Sequence, residues 1–134
     1  MARRTSLKVK PTKDGVYKLG KAHLAVYTKA VEEFVGWFGL SEWKLWVIIE
    51  PHDNAYGFCR ADCPNQCAVI GLTPEWDVQP TEKELRKVAL HEVFELLLAP
   101  MWHAVLARSL DENWANSQRH TIIRRLENIS RNMI

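Results

Sequence analysis

The chain has 134 residues, enough for one domain with a single hydrophobic core. Its 47% hydrophobic and 25% charged content is that of an ordinary globular protein and excludes collagen-like, coiled-coil and disordered classes. No apolar run reaches the ~18–20 residues of a membrane span. The Met-Ala-Arg-Arg start leads into polar residues rather than a secretory signal, so no membrane partner and a cytoplasmic location are expected.

The net charge of +2 is unevenly spread. Residues 1–21 hold seven of the 18 basic residues (Arg3, Arg4, Lys8, Lys10, Lys13, Lys18 and Lys21) against one acid, Asp14, giving +6. The remainder has 11 basic and 15 acidic residues, giving −4. The expected organisation is a basic N-terminal arm over 1–21, outside the fold, and one domain over 22–134. Such an arm suits weak contact with nucleic acid or an acidic partner.

After the arm, Leu24, Tyr27, Val31, Phe34, Val35 and Phe38 recur at helical spacing, and Gly39 supplies the terminator. Residues 43–50 are rich in β-branched and aromatic side chains. Apolar residues on both faces predict a strand internal to its sheet. Pro51 to Asn54 is a turn containing His52, and a weaker strand is expected near 55–60. Cys59, Cys63 and Cys67 follow. Their odd number and spacing fit neither a disulfide framework nor a zinc ribbon, so reduced loop and strand cysteines are expected. A strand over 67–73 comes next.

Thr81-Glu-Lys-Glu84 reads as a capping box that opens a helix apolar almost all round, and hence buried. Pro100 should end or kink it. A further helical stretch carries Trp102, Val105 and Leu106. Asp111 should cap a last helix striped by Trp114, Ile122, Ile123, Leu126 and Ile129. Helix, two or three short strands, helix and helix predict an α+β fold.

The buried helix carries His91-Glu92-Val-Phe-Glu95 in its most apolar part. Burying such groups is unfavourable unless they are paired or metal-bound. His91 and Glu95, four apart, share a face and can ligate one divalent ion. Glu92 sits where the general base stands in the His-Glu-x-x-His pattern of zinc peptidases. Because the pattern here is HExxE, a second imidazole must come from elsewhere. His120 on the last helix is the first candidate and His103 the second. The ten-residue spacing of metzincins falls on Met101, without the glycine of that motif. Asp111, Glu112 and Glu127 are further carboxylate candidates. His52 reads as a turn residue and His23 as a surface helix residue. The bland reading is a buried His–Glu pair with no metal.

The blocks Gly39-Leu-Ser-Glu-Trp-Lys-Leu-Trp-Val-Ile, Cys67-Ala-Val-Ile-Gly-Leu-Thr, Lys87-Val-Ala-Leu-His-Glu-Val-Phe-Glu-Leu-Leu-Leu-Ala-Pro-Met and His120-Thr-Ile-Ile-Arg-Arg-Leu-Glu-Asn occur in this order. Together they resemble a family of small phage and prophage proteins described as zinc metallopeptidases of the minimal zincin, SprT-like type. The resemblance covers residues 24 to 130. It implies an N-terminal helix, a short two- to three-stranded sheet, a central metal-site helix and closing C-terminal helices. It also implies His91 as ligand and Glu92 as base, with zinc as cofactor and manganese or iron as alternatives. The location implied is the host cytoplasm for a phage-encoded chain. Glu95 stands where the family has its second histidine, and His120 would compensate. The activity implied is hydrolysis of a peptide or protein substrate, with Glu92 carrying the proton from water to the leaving amine. The strand over 67–73 would serve as an edge that pairs with extended substrate. No oxyanion donor is identifiable; Tyr56 and His103 carry suitable atoms and nothing more. The alternative is a non-catalytic scaffold of the same shape, binding nucleic acid or protein through its basic arm.

Overall fold

The structure is a computed structural model that describes residues 6–108 and 111–131, without the side chain of Ile129. It is α+β. In chain order the elements are β1 (Tyr17–Lys18), α1 (Lys21–Trp37), β2 (Lys44–Ile49), β3 (Gly57–Asp62), β4 (Cys67–Leu72), β5 (Glu75–Trp76), α2 (Glu82–Ala107) and α3 (Glu112–Ser130). The three longer strands form a sheet ordered β2-β4-β3, with β4 parallel to β2 and antiparallel to β3. β1 and β5 form a separate antiparallel pair.

Local signals set the ends of the helices. Gly39, at φ +66°, ends the chain's run through α1, and the Leu40 amide turns back to the Val35 carbonyl at 2.9 Å. Thr81 Oγ1 accepts from the Glu84 amide at 3.2 Å, which is one half of the capping box; the Glu84 carboxylate instead approaches Lys87 at 3.6 Å. Asp111 Oδ1 caps α3 by accepting from the Trp114 amide at 3.1 Å.

The core is one cluster. Tyr27, Val31 and Phe34 of α1 meet Ile70 and Leu72 of β4, the apolar face of α2, and Ile123 of α3. Two glycines bring β3 close to its neighbours. A Cβ on Gly71 would lie 2.0 Å from the Phe58 ring, which covers that gap from the paired strand. At Gly57 a Cβ would lie 2.7 Å from Val88 Cγ1 of α2 and 2.9 Å from the Gly71 carbonyl oxygen. These contacts seat β3 directly against the helix that carries His91, Glu92 and Glu95.

Several expectations are corrected. The central strand is β4, so residues 43–50 form an edge and residues 67–73 do not. The outward face of β2 carries Trp46, 47% exposed, with Lys44 Nζ 5.2 Å above its ring. The N-terminal segment is not outside the fold from Leu7 onward. Leu7 and Leu19 pack on the core, Gln79 Nε2 donates to the Val9 carbonyl at 3.1 Å, and β1 pairs with β5. Arg3 and Arg4 lie outside the described residues, whereas Lys8, Lys10, Lys13, Lys18 and Lys21 are exposed. His23 is buried, 4% exposed, rather than on the surface. Its Nδ1 accepts from the Gly20 amide at 3.0 Å, so its Nε2 donates to the Leu7 carbonyl at 2.8 Å, joining the segment to α1.

Pro100 neither ends α2 nor separates a further helix, because the helix runs on to Ala107. Pro100 has no amide to bond the Leu96 carbonyl, so the helix runs through it with that bond missing. Trp114 is 64% exposed and leaves the α3 stripe, which Ala115 and Ile123 form with Leu126 at its border. By length and composition α2 could cross a bilayer, with mean hydropathy 1.2 over its most apolar window. Here it lies between α1, α3 and the sheet.

Candidate metal centre

α2 and α3 cross so that the polar middle of one faces a polar row on the other. On α3, Asn116, His120, Ile123 and Glu127 recur at spacings of four and three and so share a face. Opposite them stand His91, Glu92 and Glu95. One ligand atom from each of His91, Glu95 and His120 falls within a 4.8 Å cluster. Glu95 Oε1 is central: it lies 3.8 Å from His91 Nε2 and 3.8 Å from His120 Nε2. The two rings are 6.2 Å apart.

The far side of each ring is fixed. Glu127 Oε1 is 2.9 Å from His91 Nδ1, and the Asn116 carbonyl oxygen is 2.9 Å from His120 Nδ1. A carboxylate and a carbonyl only accept, so both Nδ1 atoms carry the proton. In the neutral rings both Nε2 atoms therefore carry the lone pair, and each lies 3.8 Å from Glu95 Oε1. This is how metal-ligating histidines are usually held from behind. Tetrahedral zinc with bonds of 2.0–2.2 Å separates its ligand atoms by ~3.3–3.6 Å. The two 3.8 Å gaps to Glu95 are too long for hydrogen bonds and lie a few tenths of an ångström above that spacing, and all three ligand atoms lie within 4.8 Å of one another. The donor set, two imidazoles and a carboxylate, fits zinc, and fits manganese or iron by the same ligand types.

Glu92 is 4% exposed, and its Oε1 lies 4.0 Å from His91 Nε2. Its Oε2 is buried without a hydrogen-bond partner among the described residues. Burial, together with the nearby Glu95 charge, pushes the Glu92 carboxyl up to about 8. Burial also pushes Glu95 up, but the contact with His91 and the charges of His91, Arg119 and His120 outweigh it and leave the group lowered. His91 is raised to about 9, first by its contact with Glu95, against burial, and with help from Glu92 and Glu127. Without a metal, the proton on His91 thus supplies the positive charge that these carboxylates require.

The other candidates are placed as follows. Glu127 sits behind His91 rather than with the three ligand atoms. His103 is exposed on the wall of a neighbouring cleft and does not join the group. Asp111 caps α3, and both it and Glu112 are exposed at its start. His52 stacks on Phe58 at 4.9 Å, in the turn. The Tyr56 hydroxyl donates to Asp77 Oδ1 at 2.5 Å. Cys59, Cys63 and Cys67 are all free, and burial pushes the Cys59 thiol far up, which leaves it protonated and a poor ligand. Sequence reasoning missed Asn116 and Arg119. Asn116 stands one turn before His120 on the same helix, and Arg119 directly precedes it.

Two clefts open on the centre. One, of about 350 Å³, is walled by Tyr56, Gly57, Val88, His91, Glu92 and Glu127. The other, of about 340 Å³, includes Cys59, Glu95, Trp102 and Arg119. Compared with known proteins, the chain matches no family model, no curated protein and no solved structure.

Proposed function

We propose that the protein is a metal-dependent peptidase of zincin-like design, with His91, Glu95 and His120 holding a zinc ion and Glu92 as the general base. The observation that carries this is the pair of imidazoles fixed through Nδ1, with both Nε2 atoms 3.8 Å from one carboxylate oxygen. When bound, zinc supplies Lewis acidity toward a carbonyl oxygen and brings the pKa of water down to about 7.

The chain's own residues do the rest. Glu127 and the Asn116 carbonyl hold the rings. Glu92, beside His91 and with Oε2 unpartnered, takes a proton from water and hands it to the leaving amine. Its raised carboxyl matches that task, because a group titrating near neutrality both accepts and returns a proton. An extended substrate finds its backbone partner on the free edge of β3, which borders both clefts, rather than on β4.

The test is zinc uptake by the purified chain, followed by hydrolysis of labelled casein. One zinc per chain is expected, with His120→Ala losing it. Glu92→Gln should keep zinc and lose hydrolysis. Failure of the chain to take up zinc, manganese or iron would overturn the reading. A second reading, a non-catalytic scaffold that binds nucleic acid, is favoured by the five exposed lysines of the N-terminal segment. Salt-sensitive binding to DNA by a zinc-free, inactive chain would select it.

A further inference from the structure

The cleft of about 340 Å³ lies between β3, the second half of α2 and the first half of α3. Cys59, Ala61, Ala99, Trp102 and Leu106 give it an apolar wall, Glu95, His103 and Arg119 supply its polar groups, and through Glu95 the cleft reaches the candidate metal position. Arg119 is its cation. The guanidinium stacks on Trp102, with Cζ 4.3 Å from the ring centre, and Nη2 donates to Asn116 Oδ1 at 2.8 Å. It is therefore held in one geometry.

Arg119 bonds a neutral oxygen three residues back, as Arg124 and Arg131 do, but it alone of the three is half-buried. Arg86 and Arg60 each reach a glutamate oxygen at 2.9 Å. No carboxylate lies within 4 Å of Arg119 among the described residues, and its Nε is buried without a partner. A fixed guanidinium beside an apolar wall matches the flat fork of a carboxylate. The nearby Glu95 makes a dianion such as phosphate a poor occupant.

Resting on the peptidase reading, we propose that this cleft is a substrate subsite in which Arg119, braced by Trp102 and Asn116, receives a carboxylate of the peptide next to the scissile bond. That carboxylate belongs either to an acidic side chain or to a free C-terminus. The apolar wall takes the carbon atoms beside it.

The test measures binding of three probes to the zinc-loaded full chain by titration calorimetry: acetyl-Ala-Ala with a free C-terminus, acetyl-Asp-Ala-amide and acetyl-Ala-Ala-amide. One of the two carboxylate probes should bind at least roughly tenfold tighter than the neutral amide, and which one does so identifies the source. Arg119→Gln should erase the preference while keeping zinc, and Arg119→Lys should retain part of it. Because a carboxylate also binds zinc directly, the same titrations are run on the metal-free chain, where the Arg119-dependent preference should persist. Zinc uptake with no carboxylate preference, or a preference that survives Arg119→Gln in a folded chain, overturns the subsite and leaves the metal reading standing. Absence of zinc uptake with the preference intact overturns the metal reading instead.

Discussion

His91 is approached by carboxylates from three directions: Glu95 and Glu92 at 3.8 and 4.0 Å from Nε2, and Glu127 at 2.9 Å from Nδ1. The first two face the proposed ion, and the third sets the ring. Orientation of this kind commonly accounts for a 10–100-fold difference in metal affinity. Glu127→Ala should therefore weaken zinc binding by about that factor, measured by competition with a chromophoric chelator. Glu127→Gln should weaken it less, because an amide oxygen still accepts from Nδ1. Equal affinity in all three chains would mean that the contact does not hold the ring. His91, Glu92 and Glu95 were legible in the sequence because polar residues stand out in an apolar helix. The role of Glu127 was not, since its position on α3 does not say which ring nitrogen it meets.

At the scale of elements, what was legible was local. The Thr81 and Asp111 caps and the Gly39 terminator each act within a few residues, so their chemistry is written beside them. The strand order was not legible. The apolar run at 43–50 resembles a buried strand until the partner of each face is known, and Trp46 turns out to face outward. Nor does the lysine-rich start announce its anchors, Leu7 and His23, whose bond spans sixteen residues. The seating of β3 on α2 is likewise non-local and rests on Gly57. Gly57→Ala places a methyl group against Val88 and the Gly71 backbone oxygen, so β3 must move off the helix. A loss of about 1–3 kcal/mol is expected, read from the urea midpoint. An unchanged midpoint would mean that strand and helix do not approach so closely.

For the whole molecule, the sign of the buried titrations shapes stability. His91 holds its proton more tightly folded, at about 9, than its ordinary 6.5, so this contribution is complete below about 6.5 and lost as pH rises through 9. Glu92 acts in the same direction, complete below about 4.5 and lost through about 8. Glu95, lowered, acts oppositely: its contribution is present above about 4.5 and lost in acid. The metal-free chain should thus be most stable near pH 5–6 and lose Tm steadily toward pH 9. Glu92→Gln should flatten that decline below pH 8 and leave the part due to His91. Zinc reverses the balance, since the ion replaces the His91 proton and supplies the charge that three glutamates demand. Its stabilising shift in Tm should accordingly grow from pH 6 to pH 9, followed by calorimetry at fixed free zinc. A zinc shift independent of pH would mean that the ion binds away from His91, because only a site that displaces this proton couples metal, pH and folding in that way.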